Sequence, residues 1–205
     1  IRESDFCLLT QAGQEIGVAS TKAFTTQLTL LLVLAIVLAR RTGLKPNQES
    51  KLVKELNSLP ALVAKALKLD KEIERVSRQF VDKHHALFLG RGIHYPVAKE
   101  GALKLKEISY IHAEGFAAGE LKHGSIALVD ENVPIITIAP DDELFEKTIS
   151  NMQEVMARGG KVILLGSEAG IAKAGEGRMA HIALPALDPF ITPMRAPCAI
   201  AFGNE

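Results

Sequence analysis

Glu100, Lys104 and Glu107 recur at intervals of four and three residues in a segment whose apolar positions keep helical spacing. Ala98, Gly101, Leu105 and Ile108 fall on one stripe of that helix, and the three charged groups lie on the adjacent face. A carboxylate and an ammonium at the border of a buried stripe tune each other's proton affinity. Such a pair suits proton abstraction next to a carbonyl. The same spacing also describes an ordinary surface ion pair between Glu100 and Lys104, worth a few tenths of a kcal/mol. Spacing alone favours that plainer reading.

His112 and His123 flank a glycine-bearing stretch, residues 113–122. A histidine in a mobile loop can shuttle protons near neutral pH, or it can simply hydrogen-bond backbone, and both readings stay open. His84 and His85 are adjacent and have no third ligand at a recognisable spacing, so no metal site is expected. Gly90-Arg91-Gly92 begins like a phosphate-cradling turn. It lacks the third glycine of a dinucleotide fingerprint and the Lys-Ser/Thr of a P-loop, so it reads as a tight strand-to-helix turn. Ser20 and Thr21 could hold an anion at a helix start, but capping explains them equally well.

The elements that must position these groups alternate. Phe6–Thr10 reads as a short strand, and residues 11–17 as a polar loop. A helix capped by Ser20 or Thr21 runs to about Arg41, where Gly43 and Pro46 end it. Two further helices are expected over Asn47–Leu56 and Pro60–Leu67, before an acidic-basic stretch at Asp70–Arg75. From Val76 the texture becomes strand–helix–strand. Strands are expected at Ala86–Leu89, Ile126–Val129, Ile135–Ile138, Val162–Leu165 and His181–Leu184. Helices are expected at Ile93–Tyr110 and Asp142–Arg158, the second with acidic residues at its start to match the macrodipole. This alternation implies an α/β fold, a parallel sheet with helices on both faces.

Composition narrows the function classes. The 205 residues suit one domain, or one domain with part of another. Twenty-four basic groups balance 24 acidic ones, which excludes a strongly basic nucleic-acid binder as the default and leaves room only for a local patch. Trp is absent and aromatics are 5%, so stacking platforms are not expected. Cys7 and Cys198 form no metal pattern and read as buried thiols in a reducing compartment. The longest apolar run, Leu28–Ala39, falls short of the roughly 20 residues a bilayer span needs. It reads as a helix in a protein core, and Arg2, Glu3 and Asp5 fit no secretory signal. A cytoplasmic location, no membrane and no nucleic-acid partner are therefore expected.

Longer strings carry a resemblance. Gly13-Gln14-Glu15-Ile16-Gly17-Val18-Ala19-Ser20-Thr21-Lys22, Gly101-Ala102-Leu103-Lys104-Leu105-Lys106-Glu107-Ile108-Ser109-Tyr110 and Gly119-Glu120-Leu121-Lys122-His123-Gly124 resemble the glutamine–fructose-6-phosphate aminotransferases. The resemblance runs from Arg2 to about Pro185. It implies two sugar-isomerase (SIS) domains, each a flavodoxin-like three-layer sandwich. Residues 1–75 would be the C-terminal part of a first SIS domain plus linking helices. Residues 76–205 would be the second SIS domain, atypical from about 186. In that family ammonia from glutamine reaches fructose 6-phosphate, and the resulting imine is isomerised to glucosamine 6-phosphate, with no cofactor. By motif, Glu107 matches the base that moves the proton between C1 and C2, and Lys104 the lysine beside it. His123 matches the histidine tied to ring opening, contributed across a homodimer interface. Val18 and Ser20 match residues lining the sugar site.

The departures are equally specific. The glutaminase with its cysteine nucleophile is not in these residues, and Cys7 is no substitute because it falls in the expected strand. A Ser/Thr-rich phosphate loop would precede Ile1. No lysine follows Lys173 to match the family's imine-forming one, and Ser125 stands where the family has proline. The chain alone is expected to be inactive as an enzyme. The alternative readings are a non-catalytic SIS module that binds a phosphosugar and regulates a partner, and a truncated or misread gene product.

Overall fold

The computed structural model describes residues 2–185, and Cys198 and the atypical segment from about 186 lie outside the described residues. Two long helices come first, α1 (Lys22–Arg41) and α2 (Pro46–Ala66), then α3 (Asp70–Ser77). The rest alternates as β1 (His85–Gly90), α4 (His94–Ser109), β2 (His112–Ala117), β3 (Pro134–Ile138), α5 (Phe145–Ala157), β4 (Lys161–Gly166), α6 (Glu168–Lys173) and β5 (Ala180–Ala183). Short 3-10 turns at Ala118–His123 and Ser125–Leu128 link β2 to β3.

All five strands are parallel, in the order β2-β1-β3-β4-β5. Helices cover both faces, as expected from the alternation, because β1, β3 and β4 are mostly apolar and buried on both sides beyond their first residues. On one face Phe88, Ile136, Ile163 and Ile182 meet α3 and α4 through Ile73, Val76, Val97 and Ala98. On the other, Leu87, Leu89, Ile135 and Leu164 meet α5 and α6 through Ile149, Met152, Val155 and Ile171.

Several expectations need correction. Phe6–Thr10 is not a strand, and Phe6 stands 90% exposed. Cys7 is likewise exposed rather than buried. An apolar run becomes a strand only beside a partner, and the sheet offers none there. The expected helices 47–56 and 60–67 are one, with Pro60 inside α2. Its fixed φ suits a helix, its ring faces solvent, and the cost is one missing backbone hydrogen bond. Ile126–Val129 is mostly a 3-10 turn, closed by Ala127 N–H to Gly124 O at 2.9 Å. The stretch after His112, read as a loop, is instead the edge strand β2, paired in register with β1.

The apolar helix is only partly a core helix. Leu32 and Ile36 are buried against Leu59 of α2, with Leu52, Leu56 and Val63 around them. Leu31 (61%), Val37 (50%) and Leu38 (55%) face outward. Among the described residues, α1 is the one helix long and apolar enough to cross a bilayer by length and composition. A helix that lines a protein interface passes the same test.

Candidate active site

α4 presents the site and is seated unusually close to the sheet. A Cβ on Gly90 would lie 2.2 Å from the carbonyl oxygen of His94, and one on Gly115 would lie 2.7 Å from Lys99 Cα. Both are backbone contacts, so only glycine at these two strand positions lets α4 lie where it does. The helix ends at Tyr110, which adopts a left-handed φ of 62° and donates its N–H to Lys106 O at 3.2 Å. A bulky residue in that conformation carries local strain just past the charged face.

Lys104 is the surprise of that face. It is 4% exposed, on a helix whose neighbouring Leu103 is 40% exposed. Its Nζ donates to Glu107 Oε2 at 2.7 Å and lies 3.5 Å from Glu100 Oε1. The side chains of Glu100 and Glu107 are 14% and 32% exposed. A buried ammonium thus stands between two carboxylates, one of them open to solvent. The pair is not the plain surface pair that spacing favours. Chemically, the arrangement holds a carboxylate at a solvent-facing edge, oriented by a fixed cation, where it can take a proton from a molecule docked there.

The other sequence-derived residues are not drawn into this cluster. His123 ends the 3-10 turn after β2, 75% exposed at its side chain, with Glu120 Oε2 3.8 Å away as its ionic neighbour. No hydrogen bond joins it to Lys104 or Glu107. Val18 is 89% exposed. Ser20 is half-buried, and its hydroxyl donates to Glu15 Oε1 at 3.2 Å. Thr21 makes no capping hydrogen bond with its side chain. Glu15 takes that role, its Oε1 also accepting from the Ala23 N–H at 2.9 Å. A carboxylate eight residues ahead of the N–H it accepts from escapes local capping rules, so Glu15 was not legible in the sequence. His85 and His112 meet edge to face at 5.6 Å across β1 and β2. No cluster of three or more metal-ligating side chains occurs among the described residues. Arg91, in the glycine turn, donates to Asn151 Oδ1 at 3.0 Å.

A family model described as SIS domain matches residues 79–185, just over half of the chain. The chain belongs to the SIS domain family. Within it, the chain is 57% identical over 196 residues to the glutamine–fructose-6-phosphate aminotransferase (isomerizing) of Pseudomonas syringae pv. tomato, covering 93% of this chain and 32% of that protein. It is 58% identical over 170 residues to the enzyme of the same name from Francisella tularensis, covering 82% of this chain and 28% of that one. The SIS chain therefore spans about a third of the length of these relatives. Among solved structures, the C-terminal domain of the Francisella tularensis aminotransferase superposes with a TM-score of 0.96 at 50% identity, over 99% of this chain and 57% of that one. A glucosamine-6-phosphate deaminase from Thermotoga maritima shares the fold, with a TM-score of 0.66 at 22% identity over 98% of this chain and 56% of its own.

Proposed function

We propose that this SIS chain carries part of the isomerase half of a glutamine–fructose-6-phosphate aminotransferase, whose whole chain acts in the cytoplasm on fructose 6-phosphate and glutamine to form glucosamine 6-phosphate. The observation that carries the reading is the Lys104–Glu107 pair, a buried ammonium 2.7 Å from a solvent-facing carboxylate. Glu107 takes the proton at one of the two carbons, C1 or C2, and returns it to the other. Lys104 holds that carboxylate in place through the 2.7 Å contact. His123, outside the cluster and well exposed, serves the ring-opening step in a partner copy. Val18 and Ser20 line the sugar, with Glu15 bracing the turn that bears them. Residues 1–75 come from a first SIS domain and its linking helices and 76–205 from a second, although Ile73 of α3 already belongs to the sheet's core.

The test is Glu107→Gln in a chain joined to the remaining parts of its relatives. The amide keeps size but cannot accept the proton from carbon. kcat is expected to fall about 10²- to 10⁴-fold while sugar-phosphate affinity holds. An unchanged kcat with intact binding would remove Glu107 from the mechanism. It would favour the non-catalytic phosphosugar-binding reading.

A further inference from the structure

His94 is the first residue of α4, polar and 2% exposed. Its Nε2 lies 3.0 Å from Asp142 Oδ2, and both side chains are buried. Asp142 stands between β3 and α5, and its other oxygen accepts from the Leu144 N–H at 2.8 Å. With the carboxylate as acceptor, as it is toward the Leu144 N–H, His94 donates from Nε2. α4 lies on one face of the sheet and α5 on the other. One carboxylate thus ties together the starts of helices from both outer layers. The junction sits beyond the carboxyl ends of β1 and β3, adjacent strands from which the chain leaves to opposite faces. In an open α/β sheet this is the switch point, where the two layers part and a crevice forms.

Buried as it is, the imidazole cannot touch a dissolved sugar, so its role is exerted through what it holds. The Gly90 and Gly115 contacts press α4 against the sheet at its first turn and near Lys99. They limit how close the helix comes at two points along its length. The His94–Asp142 contact adds a side-chain tie from its first turn to the β3–α5 loop. Lys104 and Glu107, within one helix, keep their mutual spacing whatever the tilt. The depth of Lys104 depends on how α4 is seated.

We propose that His94 and Asp142 form a positioning contact: by pinning the first turn of α4 to the β3–α5 loop, the pair sets the depth at which Lys104 is buried and the direction in which Glu107 faces. The inference rests on the reading of Lys104 and Glu107 as the proton-transfer site. Its test needs no turnover, so the two can fail separately.

The test uses the 205-residue chain labelled with ¹⁵N-lysine, with the Lys104 ammonium signal assigned by its loss in Lys104→Met. In the parent protein that ammonium is expected to exchange slowly with water. His94→Leu keeps apolar bulk, and His94→Asn keeps polarity but is too short to reach Asp142. Either variant, when folded by circular dichroism, is expected to speed exchange at the Lys104 ammonium roughly tenfold or more, as loss of a buried charge-assisted hydrogen bond implies. His94→Gln, which can still donate to Asp142, is expected to restore exchange to within about threefold of the parent. A folded Leu or Asn variant whose Lys104 signal and exchange are unchanged would overturn the proposal. So would a Gln variant that behaves like Leu, because volume rather than the hydrogen bond would then set the seat. If neither breaking variant folds, Gln alone decides: a folded Gln variant with parental Lys104 exchange supports the pin, and one with altered exchange overturns it.

Discussion

Replacing Lys104 with methionine removes the cation and keeps most of its stem. The cost follows from what is left behind. Losing one partner of a fully buried ion pair typically destabilises by about 3–5 kcal/mol, because the remaining charge is stranded. Here the stranded carboxylates are not fully buried: Glu100 keeps 14% and Glu107 32% of its side-chain surface. Water therefore recovers part of the loss, and methionine contributes apolar burial of its own. Together these bring the expected destabilisation to about 1–3 kcal/mol. With no tryptophan in the chain, urea unfolding is best followed by circular dichroism. A slope of about 2 kcal/mol/M turns that cost into a midpoint shift of roughly 0.5–1.5 M. A surface pair would cost about 0–1 kcal/mol and fade in salt. The shift is expected to survive 0.5 M sodium chloride largely intact, at about two thirds of its low-salt size or more. A loss below about 0.5 kcal/mol, or one abolished by salt, would refute the buried reading of Lys104 and weaken the site built on it.

Three further outcomes follow from the same structure. Gly90→Ala would put a methyl 2.2 Å from the His94 carbonyl oxygen, a backbone atom that can yield only if α4 moves; about 2–3 kcal/mol and a Tm lower by roughly 4–12 °C are expected, and a parental melting curve would contradict the close seat. The 205-residue chain alone is expected to make no glucosamine 6-phosphate from fructose 6-phosphate with glutamine or ammonia, since it spans only about a third of the relatives that bear that name; turnover above a no-protein blank in a coupled assay counts against that. Leu31 and Leu38 stand 61% and 55% exposed on α1, so the chain is expected to self-associate through that face, and light scattering should show Leu31→Lys with Leu38→Lys shifting it toward monomer. A stable parental monomer at micromolar concentration would dismiss the interface.

How much of this was legible in the sequence depends on how local each cause is. β1, β3 and β4 are short apolar runs buried on both faces, so composition alone marks them. β2 is an edge strand with one hydrogen-bonded partner and one covered face, and its sequence holds a glutamate and a glycine. Gly115, which argues against a strand by propensity, is there because Lys99 of α4 comes too close for any side chain. The reason lies in a neighbouring element and leaves no local trace. Phe6–Thr10 and Ile126–Val129 fail the opposite way: the apolar pattern is present and the sheet has no place for it. Pro60 misleads because a first-turn proline and a tolerated interior one look alike until the solvent face is known.

The candidate site divides along the same line. The spacing of Glu100, Lys104 and Glu107 depends only on the helix and was visible at once. The spacing could not say whether that face meets water or sheet, and that question separates a weak surface pair from a held carboxylate. The answer is set by Gly90, Gly115 and Asp142, none of which belongs to α4. Two of them admit the helix to within backbone contact of the strands, and the third accepts from its first side chain. Lys104 is buried because of where α4 sits, and α4 sits there because residues 4 to 48 positions away from the ones they touch permit it. A protein that needed only a stable helix could fill that buried position with leucine. Keeping a lysine there, beside a solvent-facing carboxylate, sacrifices apolar burial for an oriented charge. The trade is sensible where that charge must meet a ligand, and it is why Glu107 rather than any more exposed acid is the residue to test first.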